Sequence, residues 1–225
     1  MFSSSVMFRL LASGLAGALV LAAHGGPVGA DSTPYLDPRP AVEDRVDDLL
    51  GRMSLDDKLG QMTQPERRFV TPEEITRYGI GSVLSSGGSA PSPNRAEKWA
   101  DMYDRLQRAA LAGPLRVPIM YGVDAVHGHN TVVGATIFPH NIGLGASRDA
   151  DLVREIGAAT AEEMAGTGLD WDFAPCVCVV RNDRWGRTYE SFGEVPGVAA
   201  RMTTAIEGLQ GEELGGPASV MATAK

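Results

Sequence analysis

The sequence predicts an α/β fold, a (β/α)8 TIM-type barrel of which this chain carries about the first half. Three observations predict it. From Ile80 to Lys225, apolar runs of strand length alternate with long amphipathic helical stretches, the order that parallel βα units require. Polar and charged residues gather just after those runs, where a barrel keeps its site. Neither a G-x-G-x-x-G nor a phosphate loop follows any run. Periodicity alone leaves the open doubly wound sheet possible, but its nucleotide-binding versions lose weight and the barrel is favoured.

The elements follow in chain order. Residues 1–30 carry one positive charge, Arg9, then an apolar run from Leu10 to Ala23. Val28 and Ala30 stand at the −3 and −1 positions before Asp31. That is the layout of a secretory signal peptide. A short membrane anchor is the alternative, but the run falls short of the roughly 20 residues a span needs. The expected mature chain, residues 31–225, is exported to the periplasm or the medium, with no membrane partner after cleavage. Within it, Val42, Val46, Leu49, Leu50 and Met53 have helical spacing. Ser54 and Asp57 form a capping box that opens a second helix. Thr71 as cap, Pro72 at the first position and Gly79 as stop frame a third. Then come a strand over 80–86, a helix over 94–113, a strand over 117–123 and a helix over 149–168. A strand over 169–179, a helix over 197–211 and a strand over 218–225 complete the series.

Bulk properties narrow the function. Of 225 residues, 44% are hydrophobic and 21% charged, and the formal net charge is −8. The chain is ordinary for a globular protein, and nothing in it looks like a nucleic-acid face. Cys176 and Cys178 are the only cysteines. Two thiols are too few for structural zinc, and a disulfide across one strand residue is strained. They are expected to be small buried apolar groups.

The rim holds the chemistry. "YGVDAVHGHN" places Asp124, His127 and His129 after the second strand. Arg181, Asp183, Arg184, Trp185, Arg187 and Glu190 follow the third. Lys225 ends the fourth, and the polar loop "SSGGSAPSPN" follows the first. Such a set suits a polyhydroxylated ligand. Carboxylates accept from vicinal hydroxyls, Lys and Arg donate to them, and an aromatic ring covers an apolar sugar face. Each residue also has a plainer role. Asp124 could cap a turn, the histidines could build the loop, Arg187 and Glu190 could form a surface ion pair, and Trp185 could pack. Lys225 could be a solvated strand end, and Glu162 and Glu163 a solvated helix face.

The combination is more specific. "VPIMYGVDAVHGHNTVVGATIFPHNIGLGASRD", "FAPCVCVVRNDRWGRTYESFGE" and the terminal "ATAK" occur in this order with these spacings. Together they resemble glycoside hydrolase family 3, in its β-glucosidase and exo-β-glucan glucohydrolase branch, from about Tyr35 to Lys225. The resemblance implies a (β/α)8-type barrel followed by a second α/β domain. It also implies retaining, double-displacement hydrolysis of terminal non-reducing β-D-glucosyl residues. Carried over by motif, Asp124, Arg187 and Lys225 hold hydroxyls of the terminal glucose, and His127 and His129 build the loop around Asp124. "RNDRWGR" departs from the family's "RDPRWGR" at Asp183, and "SFGEVP" departs from "SFGEDP". The His that follows the family's Lys lies past the last residue given.

No cofactor is implied. An H-x-H pair at a barrel strand end also opens some metal-dependent amidohydrolases, but those place the pair on the strand itself. They also add further ligands on later strands, so no metal site is expected. Retaining glycosidases need two carboxyl groups about 5–5.5 Å apart. The family's nucleophile motif, like "SDW", does not occur here, and its acid/base Glu comes still later. No catalytic residue is therefore assigned within the chain, which reads as the amino-terminal part of a longer enzyme, inactive alone. If it did turn over an aryl β-glucoside, Glu190 or Asp172 would be the first to mutate. The alternative is a non-catalytic carbohydrate-binding or degenerate module.

Overall fold

The computed structural model describes residues 33–225, and the signal peptide expected over residues 1–30 lies outside them. Four strands, β1 (Ser82–Ser85), β2 (Met120–Val123), β3 (Trp171–Asp172) and β4 (Met221–Ala222), form one sheet in the order β1-β2-β3-β4. Every pair is parallel. A doubly wound sheet reverses its strand order at a switch point, whereas this order runs on without reversal, as in a barrel wall. The chain before β1 also lies along it, with Glu66 bridged to Leu84 and the Leu84 amide donating to the Pro65 carbonyl.

Helices α1 (Val42–Arg52), α2 (Leu55–Gln61) and α3 (Pro72–Tyr78) precede or flank β1. The expected capping box of Ser54 with Asp57 starts α2, and Thr71 caps α3 as expected, closing a second box with Glu74, while Gly79 ends α3 in a left-handed turn. Helix α4 (Ala96–Leu111) buries Trp99, Met102, Leu106 and Ala110, one stripe at helical spacing. They meet Val83, Tyr121 and Val123 from the strands in the larger core. No helix of the described residues is long and apolar enough to cross a membrane.

Helices α5 (Asn141–Ser147), α6 (Ala150–Ala165), α7 (Pro196–Arg201) and α8 (Thr204–Gln210) build the second half around a smaller core of Leu144, Val153, Phe192, Val198, Ala199, Met202 and Ala205. Helices α6 and α8 cross closely because two glycines face the crossing. A Cβ at Gly208 would strike the Arg154 carbonyl, and one at Gly157 would come to 2.6 Å from that of Ala205.

The structure corrects several expectations. The helix over 197–211 is two helices. At the break, Thr203 Oγ1 donates to Ala200 O and Thr204 Oγ1 to Ala150 O, so hydroxyls compete with the helical ladder. Helix α5 was not foreseen, since two glycines in seven residues hide its pattern. The strands expected over 169–179 and 218–225 keep regular pairing for only two residues each. Cys176 and Cys178 are joined in a disulfide rather than left as free buried groups. Off the ladder the chain is not held at strand pitch. Their Cα atoms come to 5.3 Å, less than the ~6.6 Å of a strand and within disulfide reach. Of the helix-face pair, Glu162 is exposed, while Glu163 is half-buried and also makes a tertiary contact. Its carboxylate accepts from both the amide and the hydroxyl of Thr136.

Candidate active site

The site grows from the place where regular pairing gives out. At the end of β2 the Val123 carbonyl accepts from the Phe173 amide at 2.8 Å. Two residues on, the Ala125 amide donates to Asp172 Oδ1 at 2.9 Å, so a side chain takes over from the backbone ladder. Asp124 sits between these two anchors. Beyond β4, the Thr223 amide donates to Ala174 O, the Lys225 amide to Pro175 O, and the Val177 amide to Lys225 O. This irregular pairing brings the Lys225 side chain to the turn after β2, where its Nζ donates to Asp124 Oδ1 at 3.0 Å.

The third predicted residue comes from the loop after β3. Arg187 Nε donates to Glu190 Oε1 at 2.9 Å, and Nη2 donates to the other carboxylate oxygen. The ion pair left open by the sequence therefore exists. Glu190 is 8% exposed, while Arg187 stays open to solvent on its other side. The guanidinium holds the Glu190 carboxyl below its ordinary range, and the carboxylate raises Arg187 in return. The Asp124 charge also reaches Arg187, and the Lys225 charge reaches Glu190. Asn141 Nδ2, on α5, donates to the Glu190 carbonyl at 2.8 Å and fixes this loop from behind.

The histidines serve the architecture. His127 Nδ1 is 3.0 Å from the Phe138 carbonyl, and its ring lies against His140 with centroids 4.0 Å apart. Gly128, between His127 and His129, has φ +90, and a Cβ there would strike the Thr136 carbonyl, so only glycine fits this turn. His129 is fully buried, with Nε2 2.9 Å from the Thr167 hydroxyl and Nδ1 3.4 Å from that of Thr131. Burial pushes its pKa down to about 4. No group of three or more candidate metal ligands occurs among the described residues. Trp185 is 39% exposed, and Tyr189 meets His140 edge-on at 4.7 Å. Arg181, Asp183 and Arg184 are exposed around the same loop.

Sequence reasoning named Asp172 only as a residue to mutate should the chain turn over an aryl β-glucoside, and gave it no part in the sugar-holding set. It is 1% exposed, and Oδ2 is buried with no hydrogen-bond partner among the described residues. Burial, with the Asp124 charge beside it, pushes its pKa up to about 8 against the pull of the Ala125 amide and Lys225. The signal was present: an acidic residue interrupts the apolar run that ends in "FAPC". Chemically, the rim offers one carboxylate acceptor, one ammonium and one guanidinium within mutual electrostatic reach. Such a set accepts from and donates to adjacent hydroxyls.

Comparison with known proteins agrees on one family. The glycosyl hydrolase family 3 N-terminal domain matches residues 54–225. A lysosomal β-glucosidase of Dictyostelium discoideum is 37% identical over 185 residues, 74% of this chain and 22% of its own length. A periplasmic β-glucosidase of Salmonella typhimurium is 32% identical over 181 residues, 80% of this chain and again 22% of its own. The crystal structure of an exo-1,3/1,4-β-glucanase from a Pseudoalteromonas species superposes with a TM-score of 0.76 and 44% identity. It covers 83% of this chain and 24% of that one. A β-glucosidase from Listeria innocua solved in complex with glucose gives 0.67 at 26% identity, covering 81% of this chain and 26% of that one. The chain thus spans under a quarter of the length of the two curated relatives. On the match from Ser54 to Lys225 and the barrel-wall order of its strands, the chain belongs to glycosyl hydrolase family 3.

Proposed function

We propose that this chain supplies the part of a β-glucosidase that grips the terminal non-reducing glucose, with Asp124, Arg187 and Lys225 as its sugar-holding residues. The observation that carries the reading is the Lys225–Asp124 contact at 3.0 Å, which joins the ends of two strands at the rim. Arg187, backed by Glu190, stands within reach of the same charges. A bound sugar would find an acceptor and two donors, each held by the protein before it arrives, and preorganisation of that kind lowers the cost of binding. The names of the relatives, β-glucosidases and an exo-1,3/1,4-β-glucanase, support a β-linked glucoside or glucan oligosaccharide as substrate.

The reaction is a retaining double displacement in a protein of its relatives' length. In this reading the nucleophile and the acid/base come from outside residues 33–225, and the residues described here bind and orient the sugar. The protein is exported: the layout of residues 1–30 and the periplasmic relative support this.

In the full-length protein, Asp124→Ala is expected to lower kcat/KM for an aryl β-glucoside by about 1.5–3 kcal/mol, the loss of a charged partner to a sugar hydroxyl. His127→Ala is expected to act through thermal stability instead. Unchanged kcat/KM in Asp124→Ala would remove the sugar-holding role, as would activity lost to EDTA and restored by zinc.

A further inference from the structure

Beneath the sugar-holding turn lies a carboxyl group that the proposed chemistry does not use. Asp172 occupies β3, in register with Val123 of β2 and Ala222 of β4. It therefore sits directly under the two chain segments that carry Asp124 and Lys225. Its Oδ1 takes the Ala125 amide, the first amide after Asp124. Its Oδ2 is buried with no hydrogen-bond partner among the described residues, and Asp172 lines a small cavity with His127, Asn141, Thr160 and Pro175. A wholly apolar residue would fill this place at less cost, since a buried polar group is expensive unless hydrogen-bonded. What the carboxyl provides is an acceptor for an amide that the sheet can no longer pair.

We propose that Asp172 is a positioning residue for the sugar grip: its carboxyl, bonded to the Ala125 amide, fixes the turn that presents Asp124 to Lys225. This rests on the reading of Asp124 and Lys225 as sugar-holding residues. The charged groups that face Asp172 are the Asp124 carboxylate from the turn after β2 and the Lys225 ammonium from the chain after β4. His127 lines the same cavity from the loop. While Asp172 keeps its proton, Lys225 has one carboxylate to serve. Once Asp172 ionises, a second negative charge beneath the ammonium draws it away from Asp124 and the grip loosens. Burial holds that ionisation near pH 8, inside the range an assay can reach.

The test is glucose binding by titration calorimetry on the full-length protein at pH 6 and pH 9. It uses wild type, Asp124→Ala, Asp172→Ala and Asp172→Asn. Asparagine keeps the acceptor for the Ala125 amide and cannot ionise. At pH 6, Asp172→Ala should bind glucose roughly tenfold more weakly, its Ala125 amide left without a partner. Asp172→Asn should stay near wild type. At pH 9 the wild type should weaken and Asp172→Asn should not. A structural role alone would shift the melting temperature and leave both proteins with the same alkaline weakening, which overturns the proposal. It is equally overturned if Asp172→Asn binds as poorly as Asp172→Ala at pH 6. Should Asp172→Ala fail to fold, the alkaline comparison of wild type with Asp172→Asn decides alone. If Asp124→Ala binds glucose as wild type does, the sugar-holding reading itself falls, whatever Asp172 does.

Discussion

Strands β1 and β2 lie in register for four residues each, from Ser82↔Met120 to Ser85↔Val123, whereas β2, β3 and β4 pair for only two. Under the first pair lies the larger apolar core, with Val83, Trp99, Ile119, Tyr121 and Val123 all nearly sealed from water. Above the second pair the order of the chain passes to other devices: the Asp172 carboxyl on the Ala125 amide, the Asn141 amide on the Glu190 carbonyl, and backbone contacts of Lys225 with Pro175 and Val177. The contrast teaches where specificity arises in this wall. The base is held by apolar burial spread over many close-packed contacts. The rim is held by single hydrogen bonds around Asp124, Glu190 and Lys225.

The comparison breaks first at the base. Ile119→Ala should cost about 2–5 kcal/mol of unfolding free energy, the usual effect of emptying a buried aliphatic site. Denaturant unfolding of the full-length protein measures it, and a loss well below that would mean the base is not what holds the wall. At the rim the expected effect is a slope rather than a step. Asp172 has a folded pKa of about 8 against an ordinary 3.8. The folded chain therefore keeps a proton that the unfolded chain releases between these values. Its contribution to stability falls as pH rises from about 4 to about 8, by up to about 1.4 kcal/mol per pH unit, and is level above. Asp172→Asn should flatten that segment of the pH–stability curve; an unchanged slope would show that another group titrates there. The smallest effect belongs to neither region. Ser54→Ala removes the cap of α2 and should cost about 1 kcal/mol with glucose binding untouched.

The same contrast explains what could be read from the sequence. The capping box at Ser54, the cap at Thr71 and the amphipathic helix over 94–113 follow local rules, and they stand where the pattern put them. Asp124, Arg187 and Lys225 were named through motifs; Lys225 meets Asp124, and Arg187 pairs with Glu190 in the loop after β3. Asp172 escaped because its partner is an amide 47 residues away, which no local spacing reports. The disulfide escaped for a related reason: strand geometry forbids it, and the chain at Cys176–Cys178 has left strand geometry. The break at Thr203 was hidden because the apolar pattern of 197–211 continues across it, while the Thr204 hydroxyl at the break reaches another helix.

The Asp124–Lys225 contact joins residues 101 positions apart, the longest sequence separation of any side-chain hydrogen bond among the described residues. Closing so long a loop exacts its entropy before the contact returns anything, so pairs of this kind form late in folding. Helix caps and the β1–β2 pair can be complete while Lys225 is still far from the turn. In the proposed reading, the grip on a sugar is therefore available only once this contact has formed. On that reading a bound glucose would stabilise the assembled state by mass action, which would make the ligand a reporter of whether the Asp124–Lys225 contact has closed.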